Sequence, residues 1–576
     1  MTFSNKLIRL FALLAFTFGV YTSPANSVPP HPQLLENGAA AKSVQSYFMQ
    51  HIDELRARGI CTADEFLSKK DFKNASKLSP GAITTFRVLA ILVQFTDSGQ
   101  ASSVSATFFD SLVFGSTANT VRDYFDEISY SQFDLVTVNI PSSLGWQTAP
   151  QPYAYYVNGQ NGTGLTYPRN SQGLVEDLVD AVDPVVDFSL YDNDGDGYVD
   201  VVLVIHTGTG AEFSGSDDDI WSHKWSITPR AKDGVWISSY TIQPEYWLSP
   251  GDMTIGVYAH ELSHVLGLPD LYDTDYSSNG IGNWALMSLG SWNGPSPGGG
   301  SPAHPCAWSR IQLGFATATN VTSNTNGVTI NNVNENGTIY RLWTSGNIGN
   351  EYFLVENRQK IGYDSYIPQS GLTVWHIDDS KADNSQEWYP SQPNTDHFKV
   401  ALEQADGLFE MEHKNDNGDG WDVFPGIGNV TSFNAVSSPN SDSYTDGTSF
   451  IAIENIQAVG NVINADLIVG FAAGIDNDKN GNLPSSIALE QNYPNPFNPS
   501  TTIDFSLSYS SEVKLEIYNV IGELTGTLIN GPLSAGSYSV EWNGADNSGN
   551  KVASGIYFYR LTSNSETKSM KMLLLK

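Results

Sequence analysis

His260-Glu261-Leu262-Ser263-His264 sets two imidazoles four residues apart with a carboxylate between them. On an α-helix, residues at that spacing share a face, so both rings can bind one zinc ion. Glu261 then sits beside the metal rather than on it, where a general base for metal-bound water belongs. Thr254 to Ala259, just upstream, is apolar enough to begin a buried helix. Gly267 ends that helix, because glycine enters the left-handed conformation at low cost. As the chain turns back, Asp270 becomes the natural third ligand. A bare H-E-x-x-H arises by chance on helices carrying two surface histidines, and the Gly and Asp extension argues against chance.

The elements that must hold this helix are legible upstream of it. Arg87 to Phe95 is a short continuous apolar run, as expected of a buried strand opening the catalytic domain. A helix follows around Val121 to Ile128, then a second buried strand over Tyr198 to Ile205 and a glycine-rich turn, His206 to Gly210. Strands and helices alternate and the zinc helix comes late, which fits an upper α/β half closed by a lower half after Asp270. His206 and His223 are read as structural, not as ligands. Asp192, Asp194, Asp196 and Asp200 place oxygens as a calcium loop does, with Gly197 sixth in the series. Leu203 stands where an EF-hand has its bidentate Glu, so the loop is no EF-hand. Its crowded carboxylates still call for a cation, expected to be structural Ca2+.

Residues from about Arg87 to Val469 resemble the immune inhibitor A-type metallopeptidases, a secreted bacterial branch of the metzincins. The phrases that carry this are 121–130 (VRDYFDEISY), 192–197 (DNDGDG), 220–225 (IWSHKW), the zinc stretch through Asp273, and 352–359 (YFLVENRQ). The resemblance implies zinc-dependent endopeptidase activity on proteins. It also gives Met287, in Trp284 to Ser288, the part of the methionine turn below the metal. The spacing alone implies only zinc and an activated water.

The chain has 576 residues, 62 Asp and Glu against 29 Lys and Arg, and a formal net charge of −33. That length calls for several domains. The acidity excludes nucleic acid and anionic membranes as partners. Two cysteines, Cys61 and Cys306, make no disulfide framework. Residues 1–27 read as a signal peptide: Lys6 and Arg9 precede an apolar core too short to span a bilayer, and Ala25-Asn26-Ser27 offers a cleavage site. No later run is long enough to cross a membrane, so export should leave no membrane span. Residues 28–82 read as a propeptide making the enzyme a zymogen. Cys61 is read as an ordinary cysteine, the rival reading being a thiolate cap on the zinc.

Beyond a catalytic domain at 83–318, residues 319–471 alternate in short apolar runs with Asn and Gly turns, an all-β module expected to pack on the catalytic domain. Within it, Glu356 is the substitute ligand should Asp270 not reach the zinc. The loop 415–422 is a weaker calcium candidate. Residues 472–486 form an acidic linker with a third acidic loop at 476–481. Residues 487–576 read as a small β-sandwich. Their opening, 492–499 (NYPNPFNP), closely resembles the type A sorting domain of type IX secretion cargo, which implies the type IX machinery as a partner and a route through the periplasm to the medium or the cell surface.

The fold class expected is thus α+β: a metzincin-like zinc peptidase domain, an all-β domain and a C-terminal immunoglobulin-like β-sandwich. The function expected is a secreted zinc endopeptidase that cuts protein or peptide substrates, with zinc on His260, His264 and Asp270 activating water and Glu261 as general base. The rival is a catalytically inactive, calcium-stabilised surface adhesin or binding protein on a peptidase fold. The intact Glu261 speaks against it.

Overall fold

The computed structural model describes residues 26–36, 47, 51, 83–97, 103–390, 392–393, 395–444, 447, 449–470, 488–507, 511–533, 536–546, 551–563 and 566–575. The chain divides into two compact units. The first takes Met1–Asp275 with Ala285–Pro302, and the second takes Tyr276–Trp284 with Ala303–Lys576. Most of the signal and propeptide expectations, Cys61 included, and the acidic loop at 476–481 lie outside the described residues.

The first unit is built on one sheet. Its strands are β1 (Asn26–Ser27), β2 (Leu89–Gln94), β3 (Trp146–Thr148), β4 (Val202–His206), β5 (His223–Lys232) and β6 (Val235–Pro244), in the spatial order β1-β5-β6-β4-β2-β3. β2, β3, β4 and β6 run parallel, β5 is antiparallel to β6, and β1 is antiparallel to β5. Leu89 to Val93 and Val202 to Ile205 are all fully buried, as the continuous apolar runs require of parallel strands covered on both faces. The strand expected at 198–205 is broken: Tyr198–Val199 pairs separately with β6 before β4 begins.

Helix α1 (Val121–Ile128) starts where expected because the Thr120 side chain accepts the Asp123 N–H at 3.1 Å, an N-cap. It buries Val121, Tyr124, Phe125 and Ile128, one stripe at helical spacing. Helix α2 (Gly256–Val265) is buried from Gly256 through His264, so it forms by packing on all sides. A Cβ at Gly256 would stand 1.9 Å from the Ser291 carbonyl, which restricts this first turn to glycine.

In the second unit, residues 339–342, 351–358, 371–378 and 400–402 form consecutive antiparallel strands, with 318–320 added at the edge. A short helix, Ala307–Gln312, also belongs to this unit. Residues 488–574 make a three-stranded and a four-stranded sheet sharing one core, in which Val513, Leu515 and Ile517 are fully buried. Residues 513–518 alternate apolar and polar side chains, and the three aliphatic ones face that core. No helix among the described residues is long and apolar enough to cross a membrane.

Candidate metal centre

Helix α2 carries His260, Glu261 and His264, all fully buried. The helix stops at Val265, and Gly267, at φ +94°, reverses the chain as its position predicts. The returning segment puts Asp270 back on the histidines. Its Oδ1 lies 3.1 Å from His260 Nε2 and 3.2 Å from His264 Nε2, and the two Nε2 atoms are 3.1 Å apart.

The protons decide what this triangle is. His260 Nδ1 lies 2.9 Å from the Leu286 carbonyl and His264 Nδ1 lies 2.7 Å from the Leu268 carbonyl. A carbonyl only accepts, so each Nδ1 carries the ring hydrogen and both Nε2 atoms present lone pairs. Two imidazole lone pairs and a carboxylate oxygen thus converge without a proton to share, which is repulsive unless a cation completes the site. Ligand atoms around a tetrahedral zinc at about 2.0–2.1 Å are spaced about 3.3 Å apart, close to the sides of this triangle. The residues present therefore fit the ion. The Leu286 and Leu268 carbonyls orient both rings, as metal-ligating histidines require.

Glu261 projects beside the triangle, and neither of its oxygens has a regular hydrogen-bond partner. Burial raises its pKa well above the usual range, and the charges of Asp270 and Glu212 push the same way. The Val28 N–H and Lys224 oppose the shift. Burial lowers the pKa of His264. Met287 is fully buried, and its carbonyl accepts the Leu271 N–H at 2.8 Å, tying Met287 to the turn that bears Asp270.

Glu356, the substitute ligand, is in the second unit. Its Oε1 accepts from Trp375 Nε1 at 3.0 Å and from the Ala307 N–H, with Arg358 at 3.5 Å. His206 and His223, read from sequence as structural, lie on β4 and β5. Each is fully buried with its pKa lowered to about 4 by burial, and His223 bridges the Trp221 carbonyl and the Tyr240 hydroxyl.

Asp192, Asp194 and Asp196 bring carboxylate oxygens within 4.8 Å of one another. Asp192 also accepts the N–H groups of Gly195, Asp196 and Gly197, which winds the loop around it. Asp200 turns to Asn193 instead, accepting its backbone and side-chain N–H groups at 2.8 and 2.9 Å. In the 415–422 region the cluster is Glu410, Asp416 and Asp419.

Sequence reasoning missed the cleft itself. Ser27, Val28 and His31 are buried against it. Ser27 pairs with His223 on β5, the open edge strand. The Tyr272 hydroxyl donates to the Ser27 carbonyl at 2.9 Å, Trp221 Nε1 to that of Val28 at 3.0 Å, and Trp292 Nε1 to that of Pro29 at 3.0 Å. Three successive carbonyls of one extended segment are thus each held by a side-chain donor. Scattered Trp and Tyr residues give no periodic signal that could have revealed this grip.

Residues 74–315 match the family model for the immune inhibitor A peptidase M6 catalytic domain, and residues 497–567 match that of the FlgD Ig-like domain. The chain carries, then, an M6-type peptidase domain and a C-terminal Ig-like domain. Over 217 residues it is 36% identical to "Immune inhibitor A" of Bacillus thuringiensis subsp. alesti, covering 32% of this chain and 30% of that protein. Over 224 residues it is 30% identical to "Pre-pro-metalloprotease PrtV" of Vibrio cholerae, covering 33% and 23%. A "Putative secreted metallopeptidase" of Arthroderma benhamiae is 24% identical, covering 50% and 46%. The chain spans less than half the length of each of these relatives. Among solved structures, FlgD from P. aeruginosa is 24% identical, covering 16% of this chain and 68% of that one, with a TM-score of 0.12.

Proposed function

We propose that the chain is an exported zinc endopeptidase. The observation that carries this is the unprotonated triangle of His260, His264 and Asp270 with the unpartnered Glu261 carboxylate beside it. Those three residues would hold the ion, which when bound supplies a Lewis acid that polarises a carbonyl and acidifies water. Glu261 takes the proton of the attacking water and returns it to the leaving nitrogen. Edge strand β5 receives the backbone of an extended substrate by strand addition. The Leu286 and Leu268 carbonyls keep both rings in the ligating tautomer. The relatives' printed names, metalloprotease and secreted metallopeptidase, agree with this reading.

Residues 28–31, which open the expected propeptide, run through the grip of Trp221 and Trp292, which supports a propeptide that keeps the enzyme latent. Structural calcium at Asp192, Asp194 and Asp196 is part of the same proposal, as is export by a type A sorting domain at 487–576. The direct test is His264→Ala, which removes a ligand. Zinc content and casein hydrolysis should fall together, and a variant that loses zinc yet still digests casein overturns the assignment.

A further inference from the structure

Beyond the grip on its backbone, the cleft segment sends one side chain into a built pocket. His31 lies edge-on to Phe213 and to Trp292, each with ring centroids 4.8 Å away, at interplanar angles of 61° and 80°. Trp247 closes the box, stacked on Phe213 at 5.6 Å and tilted to Trp292 at 5.0 Å. Trp247 and Trp292 are buried, and Trp247 is fixed by a 2.9 Å hydrogen bond to Thr254 Oγ1. At the far end, His31 Nε2 donates to the Pro297 carbonyl at 2.9 Å. Its Nδ1 accepts the Gln33 N–H at 3.3 Å, so the ring sits as the neutral Nε2–H tautomer.

The register of this pocket relative to the edge strand can be read from the segment. β1 runs antiparallel to that strand, as an added substrate strand would. Ser27 pairs with His223 on β5, and His31 follows it by four residues. Resting on the peptidase reading, we propose that Phe213, Trp247 and Trp292, capped by the Pro297 carbonyl, form a substrate subsite. It selects a flat ring with a hydrogen-bond donor at its tip, histidine or tyrosine, four residues to the C-terminal side of the substrate residue that pairs with His223.

The chemistry of the box sets this preference. Edge-to-face pairs add to simple burial for aromatic side chains, an aliphatic chain forfeits both pairs, and an acidic one meets a carbonyl oxygen. Phenylalanine keeps the ring contacts but leaves the Pro297 carbonyl without its donor. Two ring pairs and one hydrogen bond correspond to a preference on the order of tenfold over alanine.

The test uses the purified active enzyme and quenched-fluorescent peptides copying residues 26–34, with all three prolines replaced by alanine and the His31 position varied. The kcat/KM should rank histidine and tyrosine first, then phenylalanine, then alanine and aspartate, with histidine about tenfold above alanine. Phe213→Leu, checked for an unchanged melting temperature, should flatten the histidine-to-alanine ratio. If histidine and alanine peptides are cut at the same site within twofold of each other, the subsite is wrong while the peptidase reading stands. If no peptide is cut by enzyme carrying zinc, the peptidase reading falls and the subsite falls with it. Should Phe213→Leu not fold, the wild-type peptide series alone decides.

Discussion

The Nε2 atoms of His260 and His264 stand 3.1 Å apart with no hydrogen between them, because each ring commits its N–H to a carbonyl. With Asp270 Oδ1 against both, the site is strained by its own lone pairs until a cation enters. Metal that binds only the folded state stabilises it by mass action, by about 4 kcal/mol when free metal is a thousand times its Kd. EDTA should therefore lower the melting temperature of the first unit, and added zinc should restore it. An EDTA-insensitive Tm would contradict the metal centre.

The Asp192, Asp194 and Asp196 cluster predicts a second, separable metal effect. Excess EGTA should lower Tm and speed autolysis, with Asp194→Ala doing likewise and becoming insensitive to EGTA. No change in melting on adding EGTA would remove calcium from the account.

Deep in the second unit, Arg358 grips Asp364 with two short bonds, 2.7 and 2.6 Å, both residues being fully buried. Burial works against each charge, yet the arginine holds the carboxyl well below its ordinary pKa. Asp364→Asn removes the nearer counter-charge and leaves the buried guanidinium only Glu356, 3.5 Å away; breaking such a buried pair typically costs about 3–5 kcal/mol. Calorimetry should show that loss at neutral pH, with a smaller difference at pH 3, where the wild-type carboxyl's contribution begins to fade.

A histidine in the same unit gives a pH dependence of opposite sign. His376 is buried; burial opposes its charge, but Glu351 and Glu403, each at 3.0 Å, raise its pKa. Its ring stacks on Tyr444, whose other neighbour is His397, paired with Asp378 at 2.8 Å. Glu412 nearby is pushed up to about 8 by burial. Both shifts mean that the folded state binds more protons than the unfolded one. The stability contributed by His376 is complete below about pH 6.5 and is lost as pH rises through its folded pKa, and Glu412 acts in the same direction up to about pH 8. Tm of the second unit should therefore fall between pH 5 and 8. His376→Gln should lower Tm at pH 5 and make that fall shallower; an unchanged slope would contradict the assignment.

Local patterns made part of this structure readable in advance. The i, i+4 histidines, the glycine stop and the returning Asp270 needed only helix geometry, and Leu89 to Val93 needed only an apolar run. The strand boundary at Val199 was not legible, because the break before β4 depends on pairing with β6. The cleft grip by Trp221, Tyr272 and Trp292 was hidden for the same reason, since its donors come from distant parts of the chain. Asp200 fits a calcium-loop pattern in sequence, but Asn193 competes for its carboxylate in space. Cooperation among residues far apart in the chain leaves no periodic mark.

The most direct measurement is zinc content beside casein hydrolysis for Glu261→Gln and the wild type. Glutamine keeps size and hydrogen bonding but not basicity, and no ligand is lost. The variant should retain close to one zinc per chain and an unchanged fold. Hydrolysis should fall by about 100- to 10,000-fold, the usual contribution of a general acid–base group. A zinc-loaded Glu261→Gln enzyme that digests casein at near the wild-type rate would contradict the mechanism.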